Sequence, residues 1–336
     1  MTRSSRFKPF AGALLLAVGC CATAGARAQA TSTSAGQAYP AKVIRLVLPF
    51  PPGGGTDVVG RLLAQKLGQA LGQQLIVDNR AGAGGRIGAE LVARSAPDGY
   101  TLLLAGSSLM ATAPALYAKL PFDMPKDFAP ISLVAYTAYV LVTHPSVPAS
   151  SVKGLVALAK SRPGRLTFAS SGAGGAAHLS GELFSSMAGV KMIHVAYKGS
   201  SPGMFSVVSG ETDLMFSNTV AALPSVKSGR LRPLGVTGLR RSTIMPDVPT
   251  VAESGLPGFE VQQNYGLLAP AGTPREIVIR LNQEVGKVMR TEDARSRLLV
   301  DGSEAKVSTP EELEKMITAE IAKWSKVIKQ AGIKEE

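Results

Sequence analysis

The sequence predicts an α/β protein of two lobes, each with a mainly parallel sheet flanked by helices. The chain has 336 residues, which exceeds the usual size of one hydrophobic core and favours two domains. From residue 43 onward, β-branched apolar segments alternate with helical patterns, as parallel sheets require. Loops rich in Gly, Ser and Thr directly follow several of these segments. Such loops lie at the carboxyl ends of strands, where open α/β sheets bind their ligands.

The N-terminus has the pattern of a secretory signal peptide over residues 1–30, so we expect a periplasmic protein. Three basic residues precede an apolar run over 10–21, which is too short to cross about 30 Å of hydrocarbon. Cleavage after Ala28 or after Ala30 fits the preference for small residues. Lipid attachment at Cys20 is a less favoured alternative, because Ala17 stands three positions before it where a larger aliphatic residue is usual.

Composition excludes several classes of function. Both cysteines, Cys20 and Cys21, lie in the signal region, so disulfides, thiolate metal sites and a cysteine nucleophile are not expected. The net charge is +12, but the basic residues are dispersed and only 5% of residues are aromatic. We therefore expect a mild preference for anionic solutes, with no nucleic acid, metal or cofactor.

The first strand, loop and helix form the most informative segment. Residues 43–48 read as a buried strand, and the prolines and glycines of 49–55 prevent its continuation. Thr56 or Asp57 is expected to cap a helix whose apolar positions follow helical spacing. Bare N–H groups and the positive end of the helix dipole then point at one place, which suits a small anion or a carboxylate.

Two long apolar segments predict where the chain crosses between lobes. Residues 131–144 form an unusually long apolar run, and residues 261–269 lead back to a C-terminal helical region. We therefore assign residues 39–138 plus 265–336 to lobe 1 and residues 139–264 to lobe 2. The last helix is expected to begin after Thr309 and to end at Gly332. Its apolar face, with Trp324, is expected to pack against the first lobe.

Six further motifs occur in order along the chain. They lie at residues 75–85, 98–103, 116–123, 197–199, 268–274 and 324–329. Together with the first glycine loop, they resemble the Bug family, the periplasmic solute-binding proteins of tripartite tricarboxylate transporters. The resemblance covers nearly all of the chain after residue 30. It implies a venus-flytrap fold of type II-like binding proteins and capture of a small carboxylate or related polar solute without chemistry. It also implies a monomer that serves membrane permease subunits or sensing.

Four strand-end loops, two from each lobe, are expected to form the site. In chain order they are residues 50–57, 106–108, 170–175 and 197–200. Serine hydroxyls and glycine N–H groups can hold a carboxylate without the desolvation of a buried arginine. The family resemblance carries the binding role onto the same loops and adds Ser217 and Tyr265. The expected ligand-binding residues are Phe50, Gly54, Gly55, Thr56, Ser107, Ser108, Ser170, Ser171, Gly172, Tyr197, Ser217 and Tyr265.

Several of these residues have a structural alternative. Thr56 and Asp57 can act only as helix caps, and Phe50 can belong to a lobe core. We expect Arg80 and Arg86 to be paired or exposed rather than to reach the ligand, and His178 to cap or pack. Ser217 stands where the family often has aspartate. Its neutral side chain makes ligands with an ammonium group less expected than neutral or purely anionic ones.

Two short patterns in the sequence are typical of enzymes. Gly199-Ser200-Ser201-Pro202-Gly203 matches the nucleophile elbow of hydrolases, with Ser201 as the nucleophile. In that fold the histidine follows the serine, whereas all three histidines precede Ser201. Residues 172–177 match a dinucleotide-binding loop, but the acidic residue expected about 20 positions later is absent. We therefore predict a receptor and no catalytic residues.

Overall fold

The computed structural model describes residues 39–172 and 174–333. The predicted signal peptide, with Cys20, lies outside the described residues. The strands are β1 (Ile44–Leu48), β2 (Leu75–Asn79), β3 (Thr101–Gly106), β4 (Phe128–Thr143), β5 (Thr167–Ser170), β6 (Ile193–Ala196), β7 (Leu214–Asn218), β8 (Arg232–Val236), β9 (Gln262–Pro270) and β10 (Ser303–Ala305).

The helices alternate with most of these strands as predicted. They are α1 (Gly55–Leu71), α2 (Arg86–Ala93), α3 (Ala113–Leu116), α4 (Val152–Ser161), α5 (Ala176–Ala188), α6 (Ser200–Val208), α7 (Thr219–Lys227), α8 (Arg275–Met289), α9 (Glu292–Val300) and α10 (Pro310–Ala331). The exceptions are that β9 directly follows β8 and α9 directly follows α8. A 3-10 turn at Ala83–Gly85 precedes α2, and a π-helical segment at Ser108–Thr112 precedes α3.

Strand β4 belongs to two sheets and joins them. Its residues 128–138 pair with β9, and its residues 139–143 pair with β7 and β8. The strand order along the whole array is β2-β1-β3-β9-β4-β7-β5-β6, with β8 and β10 also paired to β4. We call β1, β2, β3, β9, β10 and the first part of β4 the first sheet. The second sheet consists of the rest of β4 with β5 to β8.

Each sheet combines parallel and antiparallel pairs. The outer strands are parallel, as predicted: β1 pairs with β2 and β3, and β5 pairs with β6 and β7. Strands β4 and β9 add antiparallel pairs at the centre, which the prediction of mainly parallel sheets did not include. The parallel strands still end at one edge of each sheet, so the loops after them lie side by side.

The crossing segments lie where the apolar runs predicted them. The predicted run over 131–144 falls within β4 and one residue beyond, and the run over 261–269 corresponds to β9. The change of sheet within β4 falls between Ala138 and Tyr139. The lobe boundaries, 39–138 plus 265–336 and 139–264, stay a prediction.

Helix α10 begins and ends as predicted, but its packing differs from the prediction. Thr309 caps the helix in a capping box with Glu312, and Gly332 ends it in the left-handed conformation. Leu313 packs in a cluster with first-sheet residues, whereas Trp324 packs in a cluster with second-sheet residues. The helix has 22 residues and is therefore about 33 Å long. The expectation that its apolar face packs against the first lobe holds for Leu313 but is wrong for Trp324, because a helix of this length reaches both cores.

Candidate functional site

The N-terminus of α1 presents three unpaired backbone donors. Gly54 is the N-cap residue, with φ −85° and ψ 170° and no side-chain cap. Within the described part of the chain, no hydrogen bond satisfies the N–H groups of Gly54, Gly55 or Thr56. Both glycines are exposed. This turn can therefore accept an anion at the positive end of a 17-residue helix.

The prediction that Thr56 or Asp57 caps α1 is wrong. The helix begins two residues earlier, so Asp57 lies in its first turn and is buried. Its carboxylate accepts hydrogen bonds from the Gly53 N–H at 3.0 Å and from Arg61 Nε at 2.9 Å. The side chain of Asn79 donates to its other oxygen at 3.0 Å. The hydrogen bond from Arg61 is the main reason that the pKa of Asp57 is lowered. Asp57 therefore fixes the shape of the loop. Arg61 offsets the negative charge of Asp57 next to the free backbone N–H groups.

Tyr265 on β9 completes the wall beside this turn. A β-carbon on Gly55 would overlap with the Tyr265 hydroxyl oxygen, so only glycine permits this approach. The ring is buried in the core of the first lobe, and burial raises the pKa of its hydroxyl. Strand β9 pairs with β3 so that Tyr265 lies opposite Gly106. The structure thus brings the first predicted loop, the second predicted loop and Tyr265 together.

Ser107 and Ser108 occupy different environments. Ser107 is buried, and its hydroxyl accepts from the Asn264 N–H at 2.8 Å and donates to the Gln262 carbonyl at 3.3 Å. It therefore fastens β9 to the end of β3. Ser108 is exposed, and its hydroxyl makes no hydrogen bond within residues 39–172 and 174–333. Of the two, Ser108 is the free donor.

The loops of the second lobe also lie next to one another, because β5 and β6 are parallel neighbours. Ser170 is fully buried, and its hydroxyl accepts from the Gly172 N–H at 3.1 Å. The Tyr197 N–H donates to the Ser170 carbonyl at 3.0 Å. The hydroxyl of Tyr197 is buried without a partner among the described residues. Ser170 and Gly172 thus shape the loop, while Ser171 is half-buried and has its backbone N–H free within the described chain.

Ser217 borders a cavity of about 280 Å³ between α6 and α7. Ser217 is buried on β7, opposite Val140 of β4. The cavity also contacts Ser200 and Ser201, at the start of α6, and its apolar lining includes Met204. Ser217 therefore lies within reach of the fourth predicted loop.

The remaining predicted residues have structural contacts. Half-buried Phe50 lies against Gly85, and its carbonyl accepts from the side chain of Asn79 at 3.0 Å. Arg80 pairs with Asp78 at 3.0 Å. Arg86 donates to the Ala83 carbonyl at 2.7 Å, and its guanidinium lies 4.3 Å from the ring centre of Tyr117. Both arginines are thus engaged within the first lobe, as expected.

Sequence reasoning expected His178 to cap or pack, and the Gly174 N–H does donate to its ring. It missed the partner His194 and two buried side-chain oxygens near the site. His178 and His194 stack beneath the loop after β5, with ring centres 3.7 Å apart; no sequence pattern pairs a helix residue with a strand residue 16 positions later. The side-chain oxygens of Thr219 and Asn264 are buried without partners among the described residues. For Thr219, the strand-to-helix position after Asn218 was an available signal, since Asn218 caps α7.

Neither a metal centre nor a membrane-spanning helix occurs among the described residues. No cluster of three or more His, Cys, Asp or Glu side chains there is arranged to hold a metal ion. Within residues 39–172 and 174–333, no helix combines the length and apolar character that crossing a bilayer requires.

Comparison with known proteins identifies the family. Residues 59–333 match the model of the tripartite tricarboxylate transporter family receptor. Protein BugT of Bordetella pertussis is 38% identical over 93% of this chain and 95% of its own length. A protein encoded between tcbD and tcbE in Pseudomonas sp. strain P51 is 39% identical over 90% of this chain and 91% of its own.

Solved structures agree with the fold. R. palustris Rpa4515 with adipate is 37% identical, with a TM-score of 0.72 over 88% of this chain and 99% of that one. MatC from Rhodopseudomonas palustris with bound malate is 32% identical, with a TM-score of 0.68 over 86% and 100%. The two-lobed α/β binding-protein fold and the resemblance to Bug proteins are confirmed. The alternative of a hydrolase with Ser201 as nucleophile is wrong. The chain belongs to the tripartite tricarboxylate transporter receptors, which are solute-binding proteins and not enzymes.

Proposed function

We propose that this protein captures a small carboxylate between its two lobes in the periplasm and delivers it to tripartite permease subunits. The observation that carries the proposal is the set of free N–H groups at Gly54, Gly55 and Thr56. A carboxylate can accept hydrogen bonds from these donors, and the dipole of α1 favours its charge. Asp57 does not repel it strongly, because Arg61 pairs with Asp57.

Donors from the second lobe supply the opposite wall. Helices α5 and α6 each begin directly after a loop at the end of a second-sheet strand, and α7 begins directly at the end of β7. Their N-termini add positive dipole ends, and the free N–H of Ser171 adds a donor. A ligand that contacts both walls binds the closed form preferentially and shifts the population toward it.

The ligand class is supported by two relatives. The relatives Rpa4515 and MatC were solved with adipate and with malate, both dicarboxylates. The neutral side chain of Ser217 in the second lobe fits a ligand without an ammonium group. We therefore place dicarboxylates ahead of amino acids as ligands.

Calorimetry of the purified protein against malate, adipate, citrate, aspartate and an aromatic carboxylate tests the proposal. We expect saturable binding of at least one dicarboxylate, and native mass spectrometry should show one solute per chain. Failure of every carboxylate to bind would reject the ligand class. Steady consumption of a bound compound would reject the receptor function. If the protein delivers its ligand to a permease, cells that lack the protein should lose uptake of the labelled ligand.

A further inference from the structure

Two histidines from different elements stack directly beneath the loop that follows β5. His178 lies on α5 and His194 on β6, and their rings are nearly parallel, with an angle of 7° between them. The ring of Phe168 continues the stack at 5.0 Å from His194. His178 is buried and His194 is half-buried. We call residues 170–172 and 174–175 the third loop.

The hydrogen bonds of Ser170 define the proton position on His194. The Ser170 hydroxyl lies 2.6 Å from His194 Nε2 and 3.0 Å from the Gly172 carbonyl oxygen. It also accepts from the Gly172 N–H. A hydroxyl has one proton, so all three contacts are satisfied when Ser170 donates to Gly172 and His194 Nε2–H donates to Ser170. His194 therefore donates from Nε2–H and closes this end of the loop.

His178 holds the other end of the loop in the complementary way. The Gly174 N–H donates to His178 Nδ1 at 3.0 Å. An unprotonated Nδ1 is required for this bond, so neutral His178 carries its proton on Nε2. That nitrogen lies 3.6 Å from a carboxylate oxygen of Glu182. The two histidines thus fix both described flanks of the third loop.

We propose that His178 and His194 are positioning residues which hold the third loop in its ligand-binding shape only while both rings are neutral, so that acid weakens solute binding. The inference rests on the proposed function, since it assumes that the third loop contacts the solute. A proton on Nδ1 of His178 removes the acceptor for Gly174. A proton on His194 places a positive charge against the stacked ring of His178.

The surroundings of the pair favour the neutral state of His194. Burial, and then the neighbouring His178, lower the pKa of His194 to about 4, although Glu182 acts in the opposite direction. Glu182 is the charged group that faces the rings from α5, while β5 contributes Phe168 and Ser170, which do not ionise. When the loop opens, the pKa of an exposed histidine returns to about 6.5. Acid therefore favours the open loop increasingly as the pH falls from about 6.5 to about 4.

Hydrogen exchange of the ligand-free protein tests the positioning role. The peptide containing Gly172 and Gly174 is followed by mass spectrometry from pH 7 to pH 4, with rates normalised to the intrinsic rates. In the wild type we expect protection to fall by up to about 100-fold, as the pKa difference requires. The double variant His178→Asn, His194→Gln keeps the acceptor and the donor but does not titrate, so its protection should stay constant. His144→Asn is the matched control, because His144 bonds to Ser146 away from the loop, and it should behave as the wild type.

Binding of adipate or malate over the same pH range tests the functional consequence. Each dicarboxylate takes up protons itself, but that effect is shared by the double variant. We expect the wild type to lose more affinity than the double variant between pH 7 and pH 4.5, with about 100-fold as the upper limit that the pKa difference sets. Constant protection in the wild type, or the same loss in the double variant, overturns the inference. Absence of binding at every pH argues against the proposed ligand class, whereas the exchange experiment still decides the role of the histidines.

Discussion

Thr237 donates its hydroxyl proton to the backbone carbonyl of Val261 at 2.6 Å. The same hydroxyl accepts from the backbone N–H of Tyr139 at 2.9 Å. Tyr139 is the first residue of β4 that pairs in the second sheet, and Val261 directly precedes β9. One fully buried side chain thus fastens the two segments that cross between the lobes.

Replacing Thr237 with valine should destabilise the protein. The substitution keeps the shape of the side chain but leaves the Tyr139 N–H and the Val261 carbonyl without this partner. We expect the free energy of unfolding to fall by about 1–3 kcal/mol, measured by urea denaturation. Thr318→Val is the control, because the Thr318 hydroxyl bonds only to a carbonyl on exposed helix surface. It should change stability by less than about 0.5 kcal/mol, and equal effects of the two variants would contradict the role of Thr237.

Solute binding should make the protein more compact. The lobes are joined by β4, by the segment before β9 and by α10, where Ile321 packs against clusters from both lobes. Closure must therefore be a rotation about these connections. Small-angle scattering should give a smaller radius of gyration at saturating ligand. Confirmed binding with an unchanged radius would argue against closure.

Backbone donors, rather than an arginine, should hold the carboxylate. Gly54 has an extended backbone that any residue can adopt, and a β-carbon there would meet only the Pro51 carbonyl, at 4.0 Å. Gly54→Val should therefore change the stability by no more than about 1 kcal/mol. Its side chain should obstruct the approach of the carboxylate to the free N–H groups and weaken binding about 10- to 100-fold, as for the loss of one charged hydrogen bond.

The controls for this experiment come from the same chain. Gly286→Val places the same side chain on the surface of α8, where only Arg290 is near, and should leave affinity unchanged. Arg80→Ala and Arg86→Ala should each cost less than about 1 kcal/mol of binding energy. If either arginine variant abolishes binding while Gly54→Val retains it, a guanidinium is the anchor.

The local part of the site was predictable because it depends on short-range patterns. About 30 consecutive residues contain the apolar pattern of β1, the glycine turn and the helical spacing of α1. The structure has all three. The prediction of Thr56 or Asp57 as the cap was wrong, since Gly54 is the N-cap residue of α1. The buried Asp57 instead bonds to Arg61 and Asn79. The contact to Asn79 depends on the parallel pairing of β1 with β2, which no local pattern specifies.

Long-range contacts set the rest of the site. Ser107 was predicted to bind ligand, yet the register of β3 against β9 places its hydroxyl between Gln262 and Asn264. The packing of α10 on both lobes follows from its length of 22 residues. The sequence does not specify where the second core lies relative to this helix. Sequence spacing thus located the loops, whereas strand register determined which donors in them stay free.

Asp57 should make the first loop sensitive to strong acid. Its pKa is lowered in the folded protein, chiefly by the hydrogen bond from Arg61. The stabilisation is therefore complete above the ordinary carboxyl pKa of about 4 and is lost as the pH falls below it. Asp57→Ala should destabilise the protein at pH 7 by about 1–3 kcal/mol, because the donors of Gly53 and Asn79 lose their acceptor. The difference from the wild type in urea denaturation should shrink at pH 3, and an equal difference at both pH values would contradict this role.

The side chain at position 217 should set the charge preference of the ligand. Ser217 is buried beside the cavity between α6 and α7, so a carboxylate there would be poorly screened by water. Ser217→Asp should weaken binding of dicarboxylates by roughly tenfold or more at pH 7, because like charges in a buried site repel. Ser217→Asn has nearly the same size as Ser217→Asp without the charge, and it should lose much less affinity.

Calorimetry with malate, adipate and aspartate separates the effect of charge from the effect of size. The aspartate variant should bind the amino acid better relative to the dicarboxylates, since its ammonium group can pair with the new carboxylate. Equal losses in the two variants for all three ligands would mean that Ser217 contributes shape and not charge.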